Sequence, residues 1–348
     1  MRDIGTSGAE TAANVWTDGT IAAAPGPARR PIAAVLGAAM LFGTAGTAQA
    51  LGPDAATPLG VGAARISVGT LVLWLAIALR ARHTASRTAT AGPGGAGPGG
   101  RSIGCRRVPW LLFVIGGVGV ATYTPMFLAA VDRTGVALGT VVAIGSGPFF
   151  AGVGEWAWRH VRPSAGWLLG TLVTVAGGAV LVAGQSSVTA ADAPGVDPVG
   201  VLYALSAGAG YALYSVTAKV TISEGIDSTM ALAAPFTVGA VAVVAFAAGE
   251  PFAWLATWQG VLMVLELGVA ATGVAYLLYG YGLARLTSAT TVSLVLAEPL
   301  TATALAAIVL DEAIVVLGWV GIAVLCAGLV VVGRSAAATT DRLALVAS

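Results

Sequence analysis

Residues 314–333 read IVVLGWVGIAVLCAGLVVVG, twenty residues without a single charge. At about 1.5 Å per residue such a helix covers roughly 30 Å, the thickness of a bilayer's hydrocarbon core. Working back along the chain, stretches of the same kind recur at 32–51, 59–79, 109–131, 135–157, 164–184, 199–219, 229–249, 259–282 and 287–310. The hydrophobic fraction is 57% and the charged fraction 9%, against about 25% charged in soluble domains. So few charges could not cover the surface of a 348-residue chain in water. The fold class is therefore an all-α integral membrane protein with ten transmembrane helices.

The placement of the basic residues orients the spans. With the N-terminus inside, the inner segments hold Arg2, Arg29, Arg30, Arg80, Arg82, Arg87, Arg101, Arg106, Arg107, Arg159, Arg162, Lys219, Arg285, Arg334 and Arg342, whereas the outer loops hold Arg133 alone. That asymmetry follows the positive-inside rule and puts both termini in the cytoplasm. The outer loops carry Asp54, Asp192, Asp197, Glu250, Asp311 and Glu312 instead. Trp110, Trp156, Trp158, Trp167, Trp254, Trp258 and Trp319 fall near span ends, as an interfacial aromatic belt does.

Residues 1–30 lack a long apolar core and are expected to form a disordered cytoplasmic tail rather than a signal peptide. The segment AGPGGAGPGG at 91–100 marks 81–108 as a flexible cytoplasmic loop. Residues 185–197 form an external linker and 334–348 a second cytoplasmic tail. Spans three and four are joined by a tight hairpin around Asp132 and Arg133.

The two halves repeat. Residues 137–148 read ALGTVVAIGSGP and residues 289–299 read ATTVSLVLAEP, with Pro148 and Pro299 standing 151 positions apart. Nearly the same offset pairs Gly117 with Gly268, Thr140 with Thr291, and Arg133 with Arg285. Pro31 to Gly43 matches Pro198 to Gly210 at an offset of 167, the glycine-rich loop supplying the extra length. The chain thus divides into five-helix units at 31–184 and 198–333. Five is odd, so the copies run in opposite directions through the membrane, an arrangement common among secondary transporters. Chance similarity among Gly/Ala/Val-rich helices is the bland alternative.

The pattern resembles the drug/metabolite transporter superfamily, and more narrowly its EamA-type permeases. Leu296-Ala297-Glu298-Pro299, then Leu310-Asp311-Glu312, then Gly318 and Gly321 follow that family's second-half motif, with Asp311 where glycine is usual. The first half keeps Pro148, Gly166 and Gly170 but has Gly147 where the second has Glu298. Arg65 matches an arginine often found in span two. The resemblance implies a ten-helix carrier, often an exporter, of small organic metabolites or drugs across the bacterial cytoplasmic membrane, in many members proton-coupled.

Ionisable groups inside spans are costly and are functional candidates by default. Glu298, near the middle of span nine, is the first candidate for coupling a proton. Glu266 and Arg65, at similar depth in spans eight and two, could pair or could each reach their own interface. Glu155 reads as a partner of Arg159, four residues on, and Asp311 with Glu312 as caps of span ten. Tyr123, Tyr211, Tyr214, Tyr276, Tyr279 and Thr291 are candidates to line a cavity between spans one, three, four, six, eight and nine. Such a cavity suits amphipathic or zwitterionic solutes, although buried tyrosines equally serve packing. Pro125, Pro148 and Pro299 are expected to kink their helices.

Two histidines, His83 and His160, exclude a multi-His metal site or histidine catalysis, and the cysteines Cys105 and Cys326 are expected unpaired. No GxxxxGK[ST] or GxSxG motif occurs. No metal, cofactor or nucleic-acid partner is expected; the expected partners are the bilayer, a small-molecule substrate and protons. A secondary carrier is the leading reading, against a membrane-embedded enzyme or a channel or structural subunit.

Overall fold

The computed structural model describes residues 29–90, 110–160, 163–185 and 197–347. The expectations for the N-terminal tail before residue 29, the glycine-rich stretch 91–100, Cys105 and most of the 185–197 linker lie outside the described residues. Twelve labels suffice for the rest: helices α1 (Arg29–Ala50), α2 (Pro58–Thr90), α3 (Trp110–Arg159), α4 (Ala165–Gln185), α5 (Pro198–Ser223), α6 (Ser228–Phe246), α7 (Trp258–Leu265), α8 (Ala275–Leu283), α9 (Ser288–Val295), α10 (Glu298–Val309) and α11 (Val316–Ala347), with a π-helical segment (Glu266–Val274) between α7 and α8.

Among the described residues, nine helical stretches are long and apolar enough to cross a membrane. Two are composites: α7, the π-helical segment and α8 form one, and α9 with α10 another. The helix α3 is 50 residues long, far more than one crossing needs, and it does not run straight. Gly135 interrupts it at φ 79, ψ 162. Beyond that point Gly139 comes back against the backbone of Val131, and Ala143 packs with Ala130. The hairpin expected around Asp132 and Arg133 thus turns two residues later, at a backbone geometry open essentially to glycine alone. The second arm, which the sequence marks as span four, is helical through Arg159 and stands outside the nine.

Two ends differ from expectation. Residues 81–90, assigned to the flexible loop, continue α2 as helix, because no glycine or proline intervenes before Gly92. Residues 334–347 likewise continue α11.

Large aliphatic side chains stand on both the inside and the outside of the bundle, and small ones fill the close helix contacts. Ala38, Ala39, Ala204 and Ala207 are fully buried, whereas Ile308 and Val316 are about 80% exposed, at 79% and 82%. In lipid a large aliphatic side chain gains nothing by turning inward, so interfaces collect small residues that let backbones approach. Gly119 of α3 and Gly210 of α5 show why: a methyl on either would meet the carbonyl oxygen of the other. The helix α5 packs against both arms of α3, α1 against α8, the π-helical segment and α10, and α4 against α11. Trp110, Trp156, Trp158, Trp258 and Trp319 face outward. Trp167 and Trp254, grouped with them by sequence, are buried instead. The indole N–H of Trp167 donates to Ser293 Oγ at 3.0 Å, a bond no span-end position reveals.

The entry to α5 is pinned at the surface. Asp197 is its N-cap, accepting the Val199 N–H at 2.9 Å, and Arg133 lies 3.1 Å from its other oxygen. The Val199 N–H, and then Arg133, hold the Asp197 carboxyl below its usual range. A carboxyl lowered in the folded state contributes stability that is complete above its unfolded pKa and is lost as pH falls through the folded value. Asp197→Asn should therefore flatten the acid limb of thermal stability, below about pH 4, relative to the parent protein in detergent. Gly135→Ala should cost about 1–3 kcal/mol of stability, read as a lowered unfolding temperature with the helical content of the folded state unchanged.

Candidate functional site

In span nine the regular α-helix is interrupted just before Pro299. The helix α9 ends at Val295, Leu296 and Ala297 form a tight turn, and α10 restarts at Glu298. The Leu296 N–H returns to the Ser293 carbonyl and the Ala297 N–H to Leu294, three-residue closures that tighten the end of α9. Proline has no N–H to offer a preceding turn, and the first turn of a new helix is where none is needed. Pro299 thus stands at the start of the second helical piece, and Glu298 in the first turn of α10, where the helix dipole favours an acid. Gly43 fixes its position: any Cβ there would strike the Glu298 carbonyl oxygen and the Thr301 side chain, so α1 crosses directly over the break. Pro125 and Pro148 lie inside the two arms of α3, whose one non-helical residue is Gly135.

Beside the break lies a chamber of about 300 Å³ that continues into a smaller void of about 80 Å³. Both are lined by Arg65, Tyr123, Ile144, Tyr214, Tyr276 and Glu298. The walls come from α1 (Ala45, Gly46, Gln49), α2 (Pro58, Arg65), both arms of α3 (Tyr123, Thr140), α5 (Tyr214), α6 (Phe236), the π-helical segment (Thr272) and α8 (Tyr276). The sequence anticipates most of these helices; α2 and α6 are additions. Gln49 and Pro58 stand at the α1–α2 turn, so the chamber reaches from the middle of the bundle toward that end.

Arg65 is held by one hydrogen bond and otherwise faces the chamber. Its Nε–H donates to Thr272 Oγ1 at 3.0 Å, and Thr272 passes its own proton to the Leu267 carbonyl, five residues back, at 2.7 Å. That five-residue reach fits the wider π-helical turn in which Thr272 stands, a form frequent at functional sites. Among the described residues neither the terminal nitrogens of Arg65 nor the carboxyl of Glu298 have a protein partner, and the two make no direct ion pair. A cation and an acid therefore share one cavity, each with capacity to spare.

The tyrosines divide. The hydroxyls of Tyr214 and Tyr276 bond each other at 2.8 Å, and Tyr123 lies against Tyr211 and Phe127. Tyr211 lines the smaller void, and among the described residues its buried hydroxyl has no partner within hydrogen-bonding geometry. Phe42 and Phe236, which carry no sequence signal beyond hydrophobicity, pack on Tyr276 with ring centroids 5.1 and 4.4 Å away. Tyr279 and Thr291 fall outside the chamber. Tyr279 is fully buried against Ser215 at 2.6 Å, and the Thr291 hydroxyl turns back to the Thr287 carbonyl at 2.8 Å. Thr140, the repeat counterpart of Thr291, lines the chamber in its place.

Glu266 and Arg65 do not pair. Glu266 hydrogen-bonds Thr44 of α1, behind the chamber wall. Asp311 and Glu312 do not cap α11, which begins four residues after Glu312. Asp311 instead closes the C-terminus of α10 with φ 57, while the Glu312 N–H returns to the Ala306 carbonyl. Aspartate tolerates the left-handed geometry better than most residues, which explains how it replaces the usual glycine.

The opposite end of the bundle is closed around the α8–α9 connection. Glu155, 2% exposed, accepts the Ala289 N–H at 3.2 Å, at the start of α9. Its burial comes from tertiary packing that the i,i+4 spacing to Arg159 cannot report. Lys219, the one lysine in the chain, is also buried, and its Nζ donates to the Leu283 carbonyl at 2.7 Å, at the end of α8. A cation at a helix C-terminus and an acid at a helix N-terminus each complement the backbone dipole.

The second half, residues 198–334, matches the model of the EamA-like transporter family. The chain is 34% identical over 302 residues to an uncharacterized transporter of Bacillus subtilis (strain 168), YwfM, covering 86% of this chain and 93% of that protein. It also superposes on a crystal structure of a protein with 20% sequence identity at a TM-score of 0.69, over 88% of this chain and 97% of the other, which establishes a shared fold.

Removing the lysine from the closed end tests its structural weight. Lys219→Met keeps the aliphatic stem and leaves the Leu283 carbonyl without that donor. It should cost about 1.5–3 kcal/mol, the range for a hydrogen bond to a charged group, measured as reduced thermal stability of the purified protein.

Proposed function

This chain belongs to the EamA-like transporter family, and from that premise we propose that it is a proton-coupled secondary carrier exporting small amphipathic or zwitterionic organic solutes across the cytoplasmic membrane. The observation that carries the reading is the chamber at the break in span nine, where Arg65 and Glu298 face the same space without neutralising each other. An anionic group on a solute complements the guanidinium, a cationic or polar group complements Glu298, and the aromatic walls accept the apolar remainder. Glu298 takes up and releases the coupling proton, competing with the cationic end of the solute. Glu266 is a second candidate carboxyl, held by Thr44 outside the chamber.

Alternating access needs two equivalent halves, and the packing supports such a pair. Gly117 and Gly268, matched in sequence, have matching neighbours: Gly117 of α3 meets Val238 of α6, and Gly268 of the π-helical segment meets Val68 of α2. The helix α1 lies on both parts of the second half's broken spans, as α5 lies on both arms of α3. In this reading the second arm of α3 supplies the tenth crossing, and the five-helix repeats 31–184 and 198–333 face opposite ways. The basic residues outside the spans, Arg133 excepted, then lie on the cytoplasmic side together with both termini, and the chamber opens to the outside.

Reconstituted vesicles with an imposed pH gradient test the proposal. Uptake of zwitterionic and amphipathic solutes should track the gradient. Glu298→Gln should abolish gradient-driven accumulation, and Arg65→Gln should raise KM most for solutes bearing a carboxylate. Gradient-driven transport at the wild-type rate by Glu298→Gln would remove that residue from the mechanism, and solute flux indifferent to any gradient would overturn the carrier reading.

A further inference from the structure

Gly147 of the first half is the repeat counterpart of Glu298, the acid of the chamber. A side chain from another helix stands where the first half has none. A methyl at Gly147 would come 3.1 Å from Cδ1 of Tyr211, so the Tyr211 ring lies directly on that face of α3. The same ring packs against Tyr123 and Tyr214, with centroids 6.1 and 5.3 Å away. Tyr211 is 8% exposed and is held on several sides by groups that make no use of its hydroxyl.

Among the described residues that hydroxyl meets no partner in hydrogen-bonding geometry. The neighbouring Tyr279 hydroxyl is engaged with Ser215 at 2.6 Å, and that of Tyr214 with Tyr276 at 2.8 Å. A phenol donates one proton and accepts on its oxygen. Burying it unused costs free energy that a phenylalanine in its place would not. Tyr211 lines the void of about 80 Å³ together with Arg65 and Glu298, and it does not line the chamber of about 300 Å³. The void lies away from the α1–α2 turn: Phe42, which lines it, precedes the chamber residues Ala45, Gly46 and Gln49 on α1. Toward the turn the chamber is bounded by Val61, Ile66, Val120, Phe127 and Leu128, all apolar.

We propose that Tyr211 is a solute-recognising residue. Its hydroxyl, with Arg65 and Glu298, makes the void the pocket for the polar head of the solute, and the apolar remainder lies in the chamber toward the α1–α2 turn. The inference rests on the carrier reading above and adds an orientation and a selectivity to it. A zwitterionic head presents a carboxylate to Arg65 and an ammonium to Glu298, and either group can complete the phenol. A solute that carries only one of the two charges leaves a buried partner unpaired, which is how polar sites discriminate.

Thermal unfolding of the purified protein in detergent tests this with L-norleucine and with n-pentylamine and hexanoate, which each lack one of its charges. Without solute, Tyr211→Phe should unfold at or above the parent's temperature, whereas Tyr214→Phe, which loses the bond to Tyr276, should unfold below it. L-norleucine should stabilise the parent at lower concentration than either single-charge compound. Tyr211→Phe should raise the concentration required about tenfold or more, the range for a hydrogen bond to a charged group. A Tyr211→Phe protein that unfolds below the parent would show a structural hydroxyl and overturn the assignment, as would unchanged norleucine affinity in that variant. A parent that none of the three compounds stabilises counts against the zwitterionic-solute reading instead, and the solute-free comparison then decides for the Tyr211 hydroxyl.

Discussion

In hydrocarbon every backbone N–H and C=O must find its partner inside the protein, because no water is present to take its place. That constraint makes the chain helical throughout its apolar length, and it also locates the exceptions. Where the helical ladder is interrupted, at Leu296–Ala297 and through the π-helical segment, the adjoining Glu298 and Thr272 line the chamber. The interruptions bring Glu298 and Arg65 together. One loses regular pairing beside Pro299, and the other supplies Thr272, whose hydroxyl both satisfies the Leu267 carbonyl and holds the guanidinium.

Packing depends on the same scarcity of driving forces. Lipid offers large aliphatic side chains as good a home as the interior does, so cohesion comes from close backbone approach. The crossing of α1 over α10 at Gly43 carries the functional consequence, since it brings the wall of the first half against the backbone of Glu298. Polar contacts are then reserved for few places. At the closed end Glu155 and Lys219 grip the two helix termini flanking the α8–α9 connection, and Trp167 with Thr171 converges on Ser293. The open end has the chamber.

Opposed charges sharing an internal cavity without contact are a costly arrangement unless a ligand or a proton completes them. This asymmetry distinguishes Arg65 and Glu298 from Arg133 and Asp197, which meet at the surface and pin a helix end. Glu266 is different again, satisfied on one oxygen by a neighbour that is itself already bonded.

The sequence by itself determined the membrane-spanning helical class, the positions of the apolar stretches and the short roster of charges placed within them. These follow from hydrophobic length and from the cost of burying charge, both of which are local and additive along the chain. Arg65, Glu298, Tyr123, Tyr211, Tyr214 and Tyr276 were legible for that reason. The tertiary structure alone decided that Tyr279 and Thr291 turn away, that Phe42 and Phe236 complete the aromatic wall, and that Glu155 and Trp167 are buried. Which side of a helix meets which neighbour is settled by partners far away in sequence, as when Tyr276 meets both Phe42 and Phe236, or Trp167 meets Ser293. A composition so rich in Gly, Ala and Val gives all faces nearly equal hydrophobicity, so periodicity cannot choose among them; only the close approach of particular backbones can.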